Sequence, residues 1–90
     1  MRVALVCRDK SGALQVRKDN RAAHLSHIQT TGVVEMAGPF LDEAGEMCGS
    51  LIILEVVDMQ AARDWAAADP YEKAGLFASV SITEWKKVVG

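Results

Sequence analysis

Residues 50–58 read Ser50-Leu51-Ile52-Ile53-Leu54-Glu55-Val56-Val57-Asp58, nine residues of which six are branched and apolar. A run of that length, rich in β-formers, predicts a strand. Its alternation decides the rest. Ser50, Ile52, Leu54 and Val56 point one way, and Leu51, Ile53, Glu55 and Val57 point the other. The run Arg2–Arg8, RVALVCR, behaves alike, with Val3, Leu5 and Cys7 against Ala4 and Val6. A sheet built on these two strands is apolar on both faces, and helices must cover at least one of them.

Working outward, Asp58 is placed to cap a helix over MQAARDWAAA, with Trp65 as its large anchor. Pro70 disfavours helical backbone at Asp69 and stops that helix. The chain turns at Lys73-Ala74-Gly75, and LFASVSITEWKKVV forms a long last strand. On the other side, VVEMAGPF (33–40) reads as a strand ended by Gly38-Pro39. LDEAGEMCG is a turn region. RAAHLSHIQTTG (21–32) reads as a helix capped by Asp19 or Asn20 and closed by Gly32. DKSGALQVRKDN (9–20) is a polar loop with room for one helical turn.

The order strand, helix, strand, strand, helix, strand predicts an α+β fold. It is a ferredoxin-like βαββαβ sandwich, one domain over residues 1–90, with two helices on one face of an antiparallel sheet. Two short helices leave the second apolar face open, which is too large a patch for a monomer. The expected remedy is a homodimer packed sheet to sheet.

The chain has 90 residues, half of them hydrophobic, and a formal net charge of −2. That balance fits a globular domain and disfavours nucleic acid or an anionic membrane as partner. No apolar run approaches a membrane span. MRVALVCRDK is too short in apolar residues for a signal-peptide core, which leaves the cytoplasm as the expected location. The strands RVALVCR and SLIILEVVD lack the aromatics on which RNA-binding versions of this fold stack bases. There is no P-loop and no GxGxxG, so no cofactor is called for. Cys7 reads as a small buried hydrophobe, and Cys48 sits in a turn with no nucleophile signature around it.

His24 and His27 are the two histidines. Stepped at about 100° per residue, Leu25 and Ile28 define an apolar stripe; His24 lies at its edge and His27 about 130° from its centre, toward solvent. They stand at i, i+3, a spacing that can chelate, but they face unequally and no third ligand has metal-site spacing, so no metal is expected. Asp69 is an anion at a helix C-terminus, where the macrodipole disfavours it. A cation would repair that mismatch. An imidazole would be such a partner, and if the two helices lie side by side on the sheet His24 could meet Asp69, which would fix its tautomer and raise its basicity; spacing alone does not show that they meet.

The segments RAAHL, AGPF, GSLIILEV, DPYEKAGLF and the closing WKKVV stand in the order and spacing of the YCII-related (YciI-like) family, which this chain resembles over essentially its whole length. DPYEKAGLF is the most specific of them. The resemblance implies a dimeric α+β barrel built from a ferredoxin-like unit and related to the muconolactone isomerase group. It also implies a His–Asp pair in a pocket, here His24 of RAAHL and Asp69 of DPY, with Ser50 as a pocket serine. Where some members read Asp-Gly-Pro-Phe this chain has Ala37-Gly38-Pro39-Phe40, so a pocket aspartate is absent there. Ala22 stands where a proline is common after the arginine.

The expected function is therefore a cofactor-independent, lyase- or isomerase-like enzyme acting on a small molecule. His24 is its general base or acid and Asp69 the orienter. Ser50, Gly38, Pro39 and Tyr71 shape the substrate site. The runner-up is a small-molecule-binding or accessory dimer without turnover, and a third reading is a purely structural dimerisation domain. A catalytic or binding domain needs space beside His24; a structural one would fill it.

Overall fold

The computed structural model describes residues 1–90. In chain order the elements are β1 (Arg2–Asp9), α1 (Leu14–Thr31), β2 (Val34–Leu41), β3 (Met47–Glu55), α2 (Met59–Ala68), α3 (Pro70–Lys73) and β4 (Phe77–Glu84). The sheet runs β2-β3-β1-β4 with every neighbour antiparallel. This is the expected ferredoxin-like α+β architecture, with an added one-turn helix. No helix is long and apolar enough to cross a membrane.

The alternation of β1 and β3 produces the core. Val3 pairs with Leu54 and Leu5 with Ile52, so their side chains share one face. With Cys7, Ala62 and Trp65 they form one buried cluster, joined at its margin by Ile28, Val80 and Ile82. Trp65 also donates its indole N–H to Thr31 Oγ1 at 2.9 Å, tying α2 to the end of α1. Asp58 caps α2 as expected, its side chain accepting from Ala61 N at 2.8 Å.

The opposite face is apolar over half its width. Ala4, Val6, Leu51 and Ile53 lie on it; Ile53 is buried, Ala4 and Val6 are half-buried, and Met36 and Leu51 are exposed. β4 adds Ser81 and Thr83 opposite Val6 and Ala4, so that side is polar. β2 is an edge strand, which is where a strand can hold Pro39 without losing a ladder bond.

Several boundaries differ from those expected. α1 starts at Leu14, not near Arg21, and absorbs most of the supposed loop. Its first turn follows Ala13 with no side-chain cap, while Asp19 and Asn20 lie inside the helix. Gly32 does close it, with φ 66. Leu25, expected at the core stripe, is 47% exposed. The face of α1 that turns inward instead carries Arg17 and His24, both buried. β3 begins at Met47, so Cys48 lies in a strand and donates its thiol to the Phe40 carbonyl. β4 ends at Glu84, leaving Trp85–Gly90 outside the sheet.

Candidate active site

α1 lies along β2 and α3, and a cleft of about 110 Å³ opens beneath it. Arg17, Arg21, His24, Leu25 and Ile28 form the helix wall. Gly38, Pro39, Ser50 and Tyr71 lie on the others. An apolar cavity of about 150 Å³ holds a benzene ring, so this open cleft suits one small ring or a short chain.

His24 and Asp69 meet at 2.8 Å between Nδ1 and Oδ1, and both are buried. An ionised carboxylate only accepts, so Nδ1 carries the proton. Nε2 has no partner within the protein. Tyr71 stacks on the imidazole with ring centroids 3.9 Å apart and planes 14° from parallel, which holds the ring's orientation.

Asp69 ends α2 as expected and has a second role besides. Its backbone is extended, with φ −61 and ψ 125, and it closes α2 and opens α3 at once. Pro70 takes the first position of α3, where its missing N–H is no loss. The same Oδ1 that meets His24 also accepts from Tyr71 N at 3.0 Å, an N-cap bond. Aspartate is a favoured N-cap residue, so the macrodipole does not oppose it there. The orphan carbonyl of Trp65, in the last turn of α2, is met by His27, whose Nε2 lies 3.1 Å away. His27 is half-buried against the Trp65 ring rather than fully in solvent, though it is more exposed than His24. The two histidines thus serve different partners, and no three potential ligands converge as a metal site would require.

Ser50 sits on the inner face of β3, 3% exposed and opposite both Cys7 and Pro39. Gly49 brings β3 close enough to place it. A Cβ at Gly49 would strike the Cys7 carbonyl, and the Phe40 ring closes over the same spot with the Arg8 guanidinium 4.3 Å from its centroid.

Arg17 is, with Arg21, one of two cleft arginines that reading the sequence missed. Its guanidinium grips Asp9 with two bonds, Nε to Oδ2 at 2.7 Å and Nη2 to Oδ1 at 2.8 Å. Nη2 also donates to Ser50 Oγ at 2.9 Å, and the plane lies 4.6 Å from the Tyr71 centroid. Burial works against the charge of Arg17, but the bonds and charge of Asp9 outweigh it and its pKa moves up. Burial also raises the Tyr71 phenol, with Arg17 and Arg21 pulling the other way. The one available signal was spacing. Arg17, Arg21 and His24 stand at i, i+4 and i+7, one face of a helix. Cys7 is no nucleophile here: burial, reinforced by Asp69, pushes its thiol up to about 12, so it stays protonated and neutral.

The fold and cleft together define a ferredoxin-like α+β protein with a small-molecule-sized pocket between helix and sheet. Residues 1–86 match the YCII-related domain, and the chain belongs to that family. Protein YciI of Escherichia coli O6:H1 is 36% identical over an alignment covering 98% of this chain and 99% of its own length. Among solved structures, this chain resembles the 5-chloro-2-hydroxyhydroquinone dehydrochlorinase TftG of Burkholderia phenoliruptrix AC1100, determined in complex with 2,5-dihydroxybenzoquinone. The identity is 34% and the TM-score 0.87, over 96% of this chain and 94% of that one. An antibiotic biosynthesis monooxygenase, 12% identical with TM-score 0.56 over 96% of this chain and 98% of its own, shares the fold alone.

Proposed function

We propose that the protein is an enzyme that moves a proton on a small organic molecule, with elimination or isomerisation, and needs no cofactor. The observation that carries this is the His24 ring. Its Nδ1 is held by buried Asp69 while the ring lines an open cleft with Nε2 unpartnered. An imidazole so oriented can take a proton at Nε2 and return it, with Asp69 stabilising the imidazolium formed. Ser50 would hydrogen-bond the substrate, and Gly38, Pro39 and Tyr71 would form the walls that orient it. The TftG likeness supports an elimination, because dehydrochlorination removes a proton and a chloride. The base takes the proton, its bonding electrons become the new π bond, and chloride leaves with the carbon–chlorine pair.

The test is chloride release from 5-chloro-2-hydroxyhydroquinone under anaerobic conditions with no metal or cofactor added. Release faster than in buffer alone is expected. Binding of the compound without chloride above background would instead favour a binding or accessory module.

The same reading includes a homodimer through the open sheet face, supported by outward Ala4, Val6, Met36 and Leu51. Sedimentation at micromolar concentration is expected to give twice the chain mass of 9.7 kDa. A folded species at the monomer mass would rule it out.

A further inference from the structure

We infer that the cleft takes its ligand as an oxyanion, a carboxylate or an ionised enol or phenol, and that Arg21 is the residue that selects for the charge. This rests on the cleft being a small-molecule site, as proposed above.

The first ground is the charge balance around the cleft. None of the side chains lining it is acidic. The two carboxylates behind its walls are already engaged, Asp9 by two bonds from Arg17 and Asp69 by His24. Arg17 is correspondingly neutralised by Asp9. Arg21, one turn of α1 before His24, lines the cleft at its exposed mouth and has no ion-pair partner. The cleft therefore carries one uncompensated positive charge, and it lies where a ligand enters. A charge in that position favours anions both on approach and when bound.

The second ground is independent and lies deeper. Ser50 is buried, and its oxygen accepts from Arg17 Nη2 at 2.9 Å. A hydroxyl also has one proton to donate, and no protein acceptor meets that of Ser50. Buried donors are costly to leave unmatched. Ser50 lines the cleft, so an acceptor on the ligand can fill that place. The bond from Arg17 also polarises the hydroxyl and makes it a better donor to a negatively charged oxygen. Donor and cation thus both ask for the same kind of ligand group. Neither observation favours a ligand cation.

The experiment compares two single-ring probes at neutral pH: 2,5-dihydroxybenzoquinone, an acidic enol that is ionised there, and hydroquinone, which is neutral. Binding is followed by calorimetry or NMR with wild type, Arg21→Gln and Arg21→Lys. Wild type is expected to bind the anion at least tenfold more tightly than hydroquinone, with an affinity that falls as salt is raised. Arg21→Gln should weaken the anion about tenfold, flatten the salt dependence and leave hydroquinone unchanged, while Arg21→Lys keeps most of the preference. Arg21 is exposed, so neither change should disturb the fold, and circular dichroism checks that. Equal binding of the two probes by wild type, or an Arg21→Gln protein with unaltered anion affinity, overturns the selection by Arg21 but leaves the pocket reading intact. Failure of wild type to bind either probe overturns both.

Discussion

Replacing Asp9 by alanine is expected to destabilise the protein by about 3–5 kcal/mol, because it leaves the Arg17 charge buried and unpaired. Arg17 is 2% exposed, and the side chain of Asp9 is 6% exposed. At roughly 0.05–0.15 kcal/mol per residue, a domain of this size has on the order of 5–13 kcal/mol to lose, so the change removes a large part of it. Urea unfolding followed by circular dichroism reads the loss. The size of that effect does not mean that the ion pair itself adds much stability. Two desolvated charges attract strongly, but removing both from water costs several kcal/mol per ion. The double variant Asp9→Leu with Arg17→Met should therefore recover most of what Asp9→Ala loses. A loss below about 1 kcal/mol in Asp9→Ala would show that water reaches Arg17 and that the pair is in effect a surface one. The restored double variant should still bind ligand poorly. Without Arg17, Ser50 loses the donor that fixes its hydroxyl, and Tyr71 loses the cation beside its ring. On that outcome the pair's role is to hold the cleft in shape, which a packed apolar pair would not do.

The strands and α2 were legible because their signals are local. In β1 and β3 the alternation of Val3, Leu5, Ile52 and Leu54 marks the core face. Asp58 marks the start of α2 by a bond three residues away. The first turns of α1 were not legible, because the inward face there is polar. Arg17 and His24 are buried by partners 8, 33 and 45 residues distant, in Asp9, Ser50 and Asp69. A hydropathy pattern cannot register burial of that kind, and it chose Leu25, which the fold leaves outside. α3 was hidden for a different reason. A proline after a helix reads as a stop, but the first position of a new turn tolerates it equally well. The contact of His24 with Asp69 was expected partly from the aspartate's place at the end of α2, which it does hold, but its second role as the cap of α3 was not read and also offsets the mismatch there. The resemblance to RAAHL and DPY segments led to the same pair without that reasoning. Half of the open sheet face also escaped the alternation rule, because β4 places Ser81 and Thr83 beside the apolar residues of β1.

Replacing His24 by glutamine should lower kcat for chloride release from 5-chloro-2-hydroxyhydroquinone by about 10²–10⁴-fold while leaving ligand affinity within a few-fold. Glutamine can still donate an amide N–H toward Asp69 and can still line the cleft, so the fold and the walls persist. It has no nitrogen that can take up a proton near neutral pH. Asp69→Asn is the second half of the experiment. Asparagine is as good an N-cap as aspartate, so the bond from Tyr71 N and the start of α3 should survive. What it removes is the negative charge beside Nδ1, and with it the support for an imidazolium in the transition state. Its kcat should fall as well, by less than in His24→Gln. The decisive measurement is the double variant. Asp69 does not itself line the cleft, and its bond from Tyr71 N survives in asparagine, so with the histidine gone its charge has no proton-moving group left to support. The double variant should be no slower than His24→Gln alone, since groups that act as a unit do not lose rate additively. If the two losses multiply, Asp69 acts on the substrate by a route of its own. If His24→Gln turns over at the wild-type rate, the proton is moved by another group.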